Sequence, residues 1–164
     1  MSTATAEQKQ ASVISSSELI QHWKRHRGLT RKVIEAFPEK ELFEYSIGGM
    51  RPFAGMVGEL LAIAVPGLKQ IVGGTTEKLD EELKAERSKA SLLAQWDEAT
   101  TGINTYWAQL KDERFGETIL AFGQYEGTVL SSILYFIDNE IHHRAQGYVY
   151  LRSLGIEPPA FWDR

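Results

Sequence analysis

Residues 128–155 read TVLSSILYFIDNEIHHRAQGYVYLRSLG, and this stretch decides the fold. Leu130, Leu134, Ile137, Ile141, Ala145 and Tyr148 recur at helical spacing along it. Projected at the helical angle, Phe136, Asn139, His143, Gln146, Tyr150 and Leu154 fall on the other side. The run from Thr128 to Leu154 ends at Gly155, with Pro158-Pro159 beyond it, which predicts one helix of about 27 residues. At 1.5 Å per residue such a helix is roughly 40 Å long. Apolar on two faces, it is expected to be buried on both, as a central helix of a bundle.

Working outward, three more helices are expected. Ser15 and Glu18 have the S-x-x-E spacing of a capping box. From there Leu19, Trp23, His26, Thr30, Val33 and Phe37 mark a first helix that Pro38 ends. Pro52 suits a first helical position, and Phe53, Met56, Val57, Leu60, Ile63, Ala64, Leu68 and Ile71 mark a second helix. Pro66 predicts a kink or an early end there, and Gly73-Gly74 closes the segment. Residues 77–89 are densely charged and fit either a helical turn or a connection. Leu92, Trp96, Ala99, Ile103, Tyr106 and Leu110 mark a third helix. Residues 112–127, with three glycines, predict a loop holding a short strand-like piece. The class is therefore all-α, an antiparallel four-helix bundle over residues 16–164, with residues 1–15 as a flexible tail.

Composition removes several functions. The 164-residue chain has no cysteine, which excludes a thiol nucleophile, thiolate metal sites and disulfides. A net charge of −4 argues against a globally basic nucleic-acid binder. Lys24, Arg25, Arg27, Arg31 and Lys32 crowd the outer face of the first helix, and the plain reading is a solvated face. The longest uninterrupted apolar run, Leu60 to Val65, is too short to span a bilayer, and the polar start lacks a signal-peptide centre. A cytoplasmic protein without a membrane partner is expected. There is no phosphate loop, dinucleotide fingerprint or G-x-S-x-G elbow.

Polar residues on apolar helix faces are the candidates for a site. Asn139 and His143 lie at i and i+4, so their Cβ atoms are about 5–6 Å apart and both can reach one ligand or metal ion. Gln146 follows one turn on. The plain alternative is a pair of hydrogen-bonded core residues. Asp138 and His142 have the same spacing on a neighbouring face and form a rival pair. Glu59, among Met56, Leu60 and Ile63, needs a cation, a metal or a raised pKa unless it reaches solvent at the margin of the stripe. His26, among Trp23, Thr30 and Val33, reads first as a satisfied core histidine and second as a pocket-lining one.

The segment from Asn139 to Gln146, with Tyr150-Leu151-Arg152 and Leu154-Gly155 after it, resembles the last helix of DinB/YfiT-like proteins. Arg51-Pro52-Phe53-Ala54 through Glu59-Leu60 resembles the opening of that family's second helix, and Trp23, Arg27, Thr30 and Pro38 fit its first. The resemblance implies a four-helix bundle with a long crossover between helices 2 and 3, commonly a homodimer. It also implies a metal site of three histidines, serving thiol S-transferases or hydrolases. Only His143 matches a ligand histidine here. Glu59 and Asn139 stand at the other two positions, and Ala145 replaces a glycine.

A metal site of Glu59, Asn139 and His143 would be harder than three imidazoles, shifting preference from zinc toward manganese, nickel or iron, with weakened affinity. His26, His142, Gln146 and Tyr150 are then candidates for the surrounding pocket. Two functions are expected from this. One is a metal-dependent transferase or hydrolase with an altered centre. The other is a metal-free, non-catalytic dimeric module for a small ligand or a stress response, in which Glu59 bonds to Asn139 or protonated His143.

Overall fold

The computed structural model describes residues 13–81 and 87–164. Residues 1–12 of the expected tail and 82–86 of the charged stretch lie outside the described residues. Helix α1 (Ser16–Ala36) starts on the expected capping box. The Glu18 amide donates to Ser15 Oγ at 3.1 Å, and the Ser15 amide donates to Glu18 Oε2 at 2.8 Å. The chain leaves the helix at Phe37, because the ring of Pro38 disfavours α geometry in the residue before it. A six-residue helix α2 (Glu39–Glu44) follows. The sequence reading lacks it because its one buried residue, Leu42, leaves no period to recognise.

Helix α3 (Phe53–Gly73) begins after Pro52, which is the extended N-cap rather than the first helical residue. Pro66 does not end it. Ile63, Ala64, Leu68 and Ile71 are buried on both sides of the proline, and their packing offsets the lost backbone hydrogen bond. With a mean hydropathy of 1.4, α3 is long and apolar enough to cross a membrane by composition. In this fold that apolar surface packs against the two helices that follow, as a core helix does. After the crossover, α4 (Lys89–Trp107) is capped by Ser88 Oγ, which accepts from the Ser91 amide at 3.1 Å.

The expected loop at 112–127 is more regular than its glycines suggest. A 3₁₀ turn (Asp112–Gly116) leads into an antiparallel hairpin of β1 (Thr118–Ala121) and β2 (Tyr125–Thr128), with Thr118 opposite Thr128 and Ala121 opposite Tyr125. Thr128 then caps α5 (Val129–Ser153), its Oγ1 accepting from the Ser131 amide at 3.0 Å. The last helix is thus placed within one residue of its expected ends.

Four long helices, α1, α3, α4 and α5, form the bundle, and α5 packs on both α1 and α3. The core is divided. One apolar cluster surrounds Trp23, Leu68, Trp107 and Ile133; the other surrounds Phe37, Phe53, Trp96 and Leu151. Gly147 marks the close approach of α5 to the second cluster, since a Cβ there would meet Phe53 Cε2 at 2.6 Å.

Two expectations about faces are corrected. On α5 the buried face runs through Val129, Ile133, Phe136, Ile137, Glu140, His143, Gly147 and Leu151. Leu134 (42% exposed), Ala145 and Val149 (55% exposed) point outward, so the expected second buried stripe is partly open. On α1, Arg27 is not part of a solvated basic face but is 1% exposed, since it shares a side with Trp23, Thr30 and Ile34. The remaining basic face is broken up: Arg31 pairs with Glu35 and Asp97, and Lys32 with Asp163.

Candidate functional site

Between the two apolar clusters lies a polar layer. α1 contributes His26, Arg27 and Thr30; α5 contributes Asn139, Glu140, His143 and Arg144; α3 contributes Glu59 at its edge. Polar groups at this depth must satisfy one another. Glu140, 2% exposed, accepts from Thr30 Oγ1 at 2.7 Å and Trp23 Nε1 at 3.2 Å. Arg27 Nη1 and Arg144 Nη1 each approach its carboxylate to 3.9 Å. Burial pushes the Glu140 carboxyl up, while Arg27, Thr30, Arg144 and Trp23 pull it down. Arg27 donates to Thr100 Oγ1 and the Trp96 carbonyl, and its guanidinium lies 3.3 Å from the Trp96 ring centroid. Its Nη1 makes no hydrogen bond among the described residues.

His26 sits at the α1 end of this layer. Arg144 Nη2 lies 2.9 Å from its Nδ1, while His22 Nε2 and Arg164 Nη1 are each 3.1 Å from its Nε2. Burial, then Arg144, His22 and Arg164, lower its pKa to about 3. It is a satisfied core histidine and does not line the Glu59 cleft.

The expected ligand set does come together at the opposite, open end. Asn139 Nδ2 donates to Glu59 Oε1 at 3.0 Å, and His143 Nε2 lies 3.2 Å from the same oxygen. Glu59 Oε2 pairs with Arg51, whose Nη1 also reaches Glu81 Oε2 at 3.4 Å. Burial pushes the Glu59 carboxyl up, but hydrogen bonds from Arg51, Asn139 and His143 outweigh it and hold the pKa at about 2. Gln146 Oε1 lies 2.7 Å from His143 Nδ1 and orients the ring, while Gln146 Nε2 donates to Met50 Sδ at 3.3 Å. Tyr150 Oη donates to the Arg51 carbonyl at 2.9 Å, tying the loop before α3 to α5. Asp138 and His142 share an open groove with Glu59, Tyr135, Asn139 and His143, of about 430 Å³. No hydrogen bond or ion pair joins Asp138 to His142, so the rival pair does not form among the described residues.

Arg51 is the residue that sequence reasoning missed at this end. It sits eight residues before Glu59 on the preceding loop, and helical spacing gives no sign that it returns.

These residues do not fit a firmly held divalent cation. The strong donors are one carboxylate and one imidazole, and no group of three His, Asp or Glu side chains is set around a common point among the described residues. Asn139 presents its NH₂ rather than its oxygen, and a guanidinium is already paired with Glu59, the one anion of the three expected ligands. What the set does offer is a charge-paired polar end for a ligand. Beside it, α3, the hairpin and the start of α5 enclose a cavity of about 330 Å³, within the range of small-ligand sites.

A family model described as "DinB family" matches residues 1–163. Among solved structures, a DinB-like protein from Bacillus cereus ATCC 10987 is similar at 16% identity and a TM-score of 0.72, over 89% of this chain and 97% of that one. A DinB-like protein from Bacillus subtilis is similar at 18% identity and a TM-score of 0.70, over 89% and 99%. At these identities the likeness is one of fold. A comparison with curated proteins gives no match.

Proposed function

The chain belongs to the DinB family, and we propose that it is a metal-independent member that binds a small molecule beside Glu59. The observation that supports this is the Arg51–Glu59 ion pair. A divalent cation placed at Glu59 and His143 would meet the fixed charge of Arg51 on the same carboxylate, with one neutral imidazole and one amide to compensate. The guanidinium therefore supplies within the chain the positive charge that a metal would otherwise supply. Gln146 and Tyr150 hold this arrangement in place, one through His143 and Met50, the other through the Arg51 backbone. A metal-dependent transferase or hydrolase would need Arg51 to leave Glu59 and Asn139 to turn its amide.

Metal content after incubation of tag-free protein with manganese, iron, nickel and zinc salts, followed by desalting, tests this reading. Less than about a tenth of an equivalent of each metal is expected, because two strong donors hold such ions weakly. Close to one equivalent of a single metal overturns the proposal and restores the enzyme reading.

A further inference from the structure

The chain has three methionines, Met1, Met50 and Met56, and the fold places the last two very differently. Met56 is 2% exposed and packs in the apolar cluster around Phe53 and Trp96. Met50 is only partly buried, in the loop between α2 and α3. Its thioether belongs to the polar arrangement at Glu59. Gln146 Nε2 donates to Met50 Sδ at 3.3 Å, and Gln146 Oε1 lies 2.7 Å from His143 Nδ1. His143 Nε2 in turn lies 3.2 Å from Glu59 Oε1. A single planar amide thus joins the sulfur to the ring.

The loop holds the backbone of Met50 on both sides. The Met50 amide donates to the Ile47 carbonyl at 3.1 Å, and Ser46 Oγ donates to the Met50 carbonyl. Gly48 and Gly49, with φ of 59° and 78°, make the turn between these contacts. The next residue is Arg51, whose carbonyl accepts from Tyr150 Oη at 2.9 Å. A chemical change at Sδ is therefore relieved through side chains. A thioether sulfur is a weak acceptor, whereas oxidation to the sulfoxide makes the side chain polar and gives it an oxygen that accepts strongly. An N–H···O bond takes about 2.7–3.2 Å by itself, so a 3.3 Å gap cannot also hold an oxygen bonded to sulfur. The Gln146 amide turns to follow that oxygen, and Oε1 turns with Nε2, away from His143.

We propose that Met50 is an oxidation site, where a hydroperoxide converts the thioether to the sulfoxide and so frees His143 from Gln146. One oxygen passes from the peroxide to Sδ. The O–O bond breaks, the S–O bond forms, and the rest of the peroxide leaves as an alcohol or water. Sulfur gives up two electrons and the peroxide takes them. Oxidation follows exposure, which selects Met50 over Met56. His143 then keeps Glu59 as a partner but loses the acceptor that orients its ring.

Treatment of the full chain with hydrogen peroxide at pH 7 tests this, read by peptide mass spectrometry and by NMR of the His143 ring. Met50 is expected to convert about tenfold faster than Met56, with the His143 signals shifting in step with Met50. The two methionine sulfoxide reductases, one for each epimer, should restore those signals. In Met50→Leu, peroxide should leave the ring signals where they started. Conversion of Met56 as fast as Met50 overturns the oxidation site. Unchanged His143 signals over a fully oxidised Met50, or a ring shift under peroxide in Met50→Leu, overturn its hold on His143.

Discussion

Acid should destabilise this bundle through His26, and the size of the effect follows from where that ring sits. His26 is 3% exposed, with Arg144, His22 and Arg164 all facing it. Burial first, then Arg144, which donates to Nδ1, hold the ring neutral in the folded state down to a pKa of about 3, against 6.5 for an ordinary histidine. A folded pKa below the unfolded one means that unfolding takes up a proton as the pH falls. The contribution is fully present above pH 6.5 and is lost between 6.5 and 3. Lowering the pH from 7 to 5 lets the unfolded ring protonate while the folded one does not, which costs about 2 kcal/mol. That is a large share of the typical stability of a domain. Urea unfolding of wild type and His26→Asn at pH 7, 6 and 5 measures it, since Asn keeps an oxygen near the position of Nδ1 but does not titrate. The variant should start less stable at pH 7 and lose about 2 kcal/mol less than wild type by pH 5. Equal losses in the two proteins would show that the folded state does not hold the ring neutral and would refute the reasoning.

Two further outcomes follow from the same packing. Glu140→Gln keeps the shape of the side chain but leaves Arg27 and Arg144 facing each other across the core without an anion, and about 3 kcal/mol of stability should be lost. Thermal unfolding reads this, and a variant as stable as wild type would mean that solvent reaches the layer. On the outer side of α5, the open apolar residues Leu134 and Val149 are expected to close a homodimer, as the family resemblance implies. Light scattering should give twice the chain mass of 18.5 kDa, and a monomer mass at micromolar concentration would exclude that contact.

The four long helices were legible because each carries a period and a cap that agree. Ser15 with Glu18 and Thr128 before Val129 stop the chain where the apolar pattern begins, and Gly74 in left-handed geometry stops it where the pattern ends. What escaped were helix α2, which buries one residue, and the pairing of the expected strand-like piece with a second strand, since each strand of the hairpin has four residues with no fully buried position. The wrong face on α5 has a different origin. Leu134 and Ala145 are apolar, so they read as core, whereas Glu140 and Arg144 on the true inner face are charged and read as surface. Hydrophobicity ranks residues by their average fate, and a paired charge in a core departs from the average.

That departure also governs how much of the site could be foreseen. Glu59, Asn139 and His143 stood out as polar positions on apolar faces, and the structure places them within hydrogen-bond distance at Glu59 Oε1. Helical geometry marked the Asn139–His143 pair and, separately, Glu59, and the family resemblance joined the three into one set. Its chemical character was not legible, because that depends on Arg51, which no periodicity connects to Glu59. The guanidinium arrives from the loop before α3, and the hydroxyl of Tyr150, 99 residues away, holds its backbone there. The same three donors without Arg51 would form an anionic, metal-seeking corner; with it they form a neutralised polar end beside a cavity. A single cation on an irregular segment thus changes what the site can bind while leaving the helices that carry it unchanged.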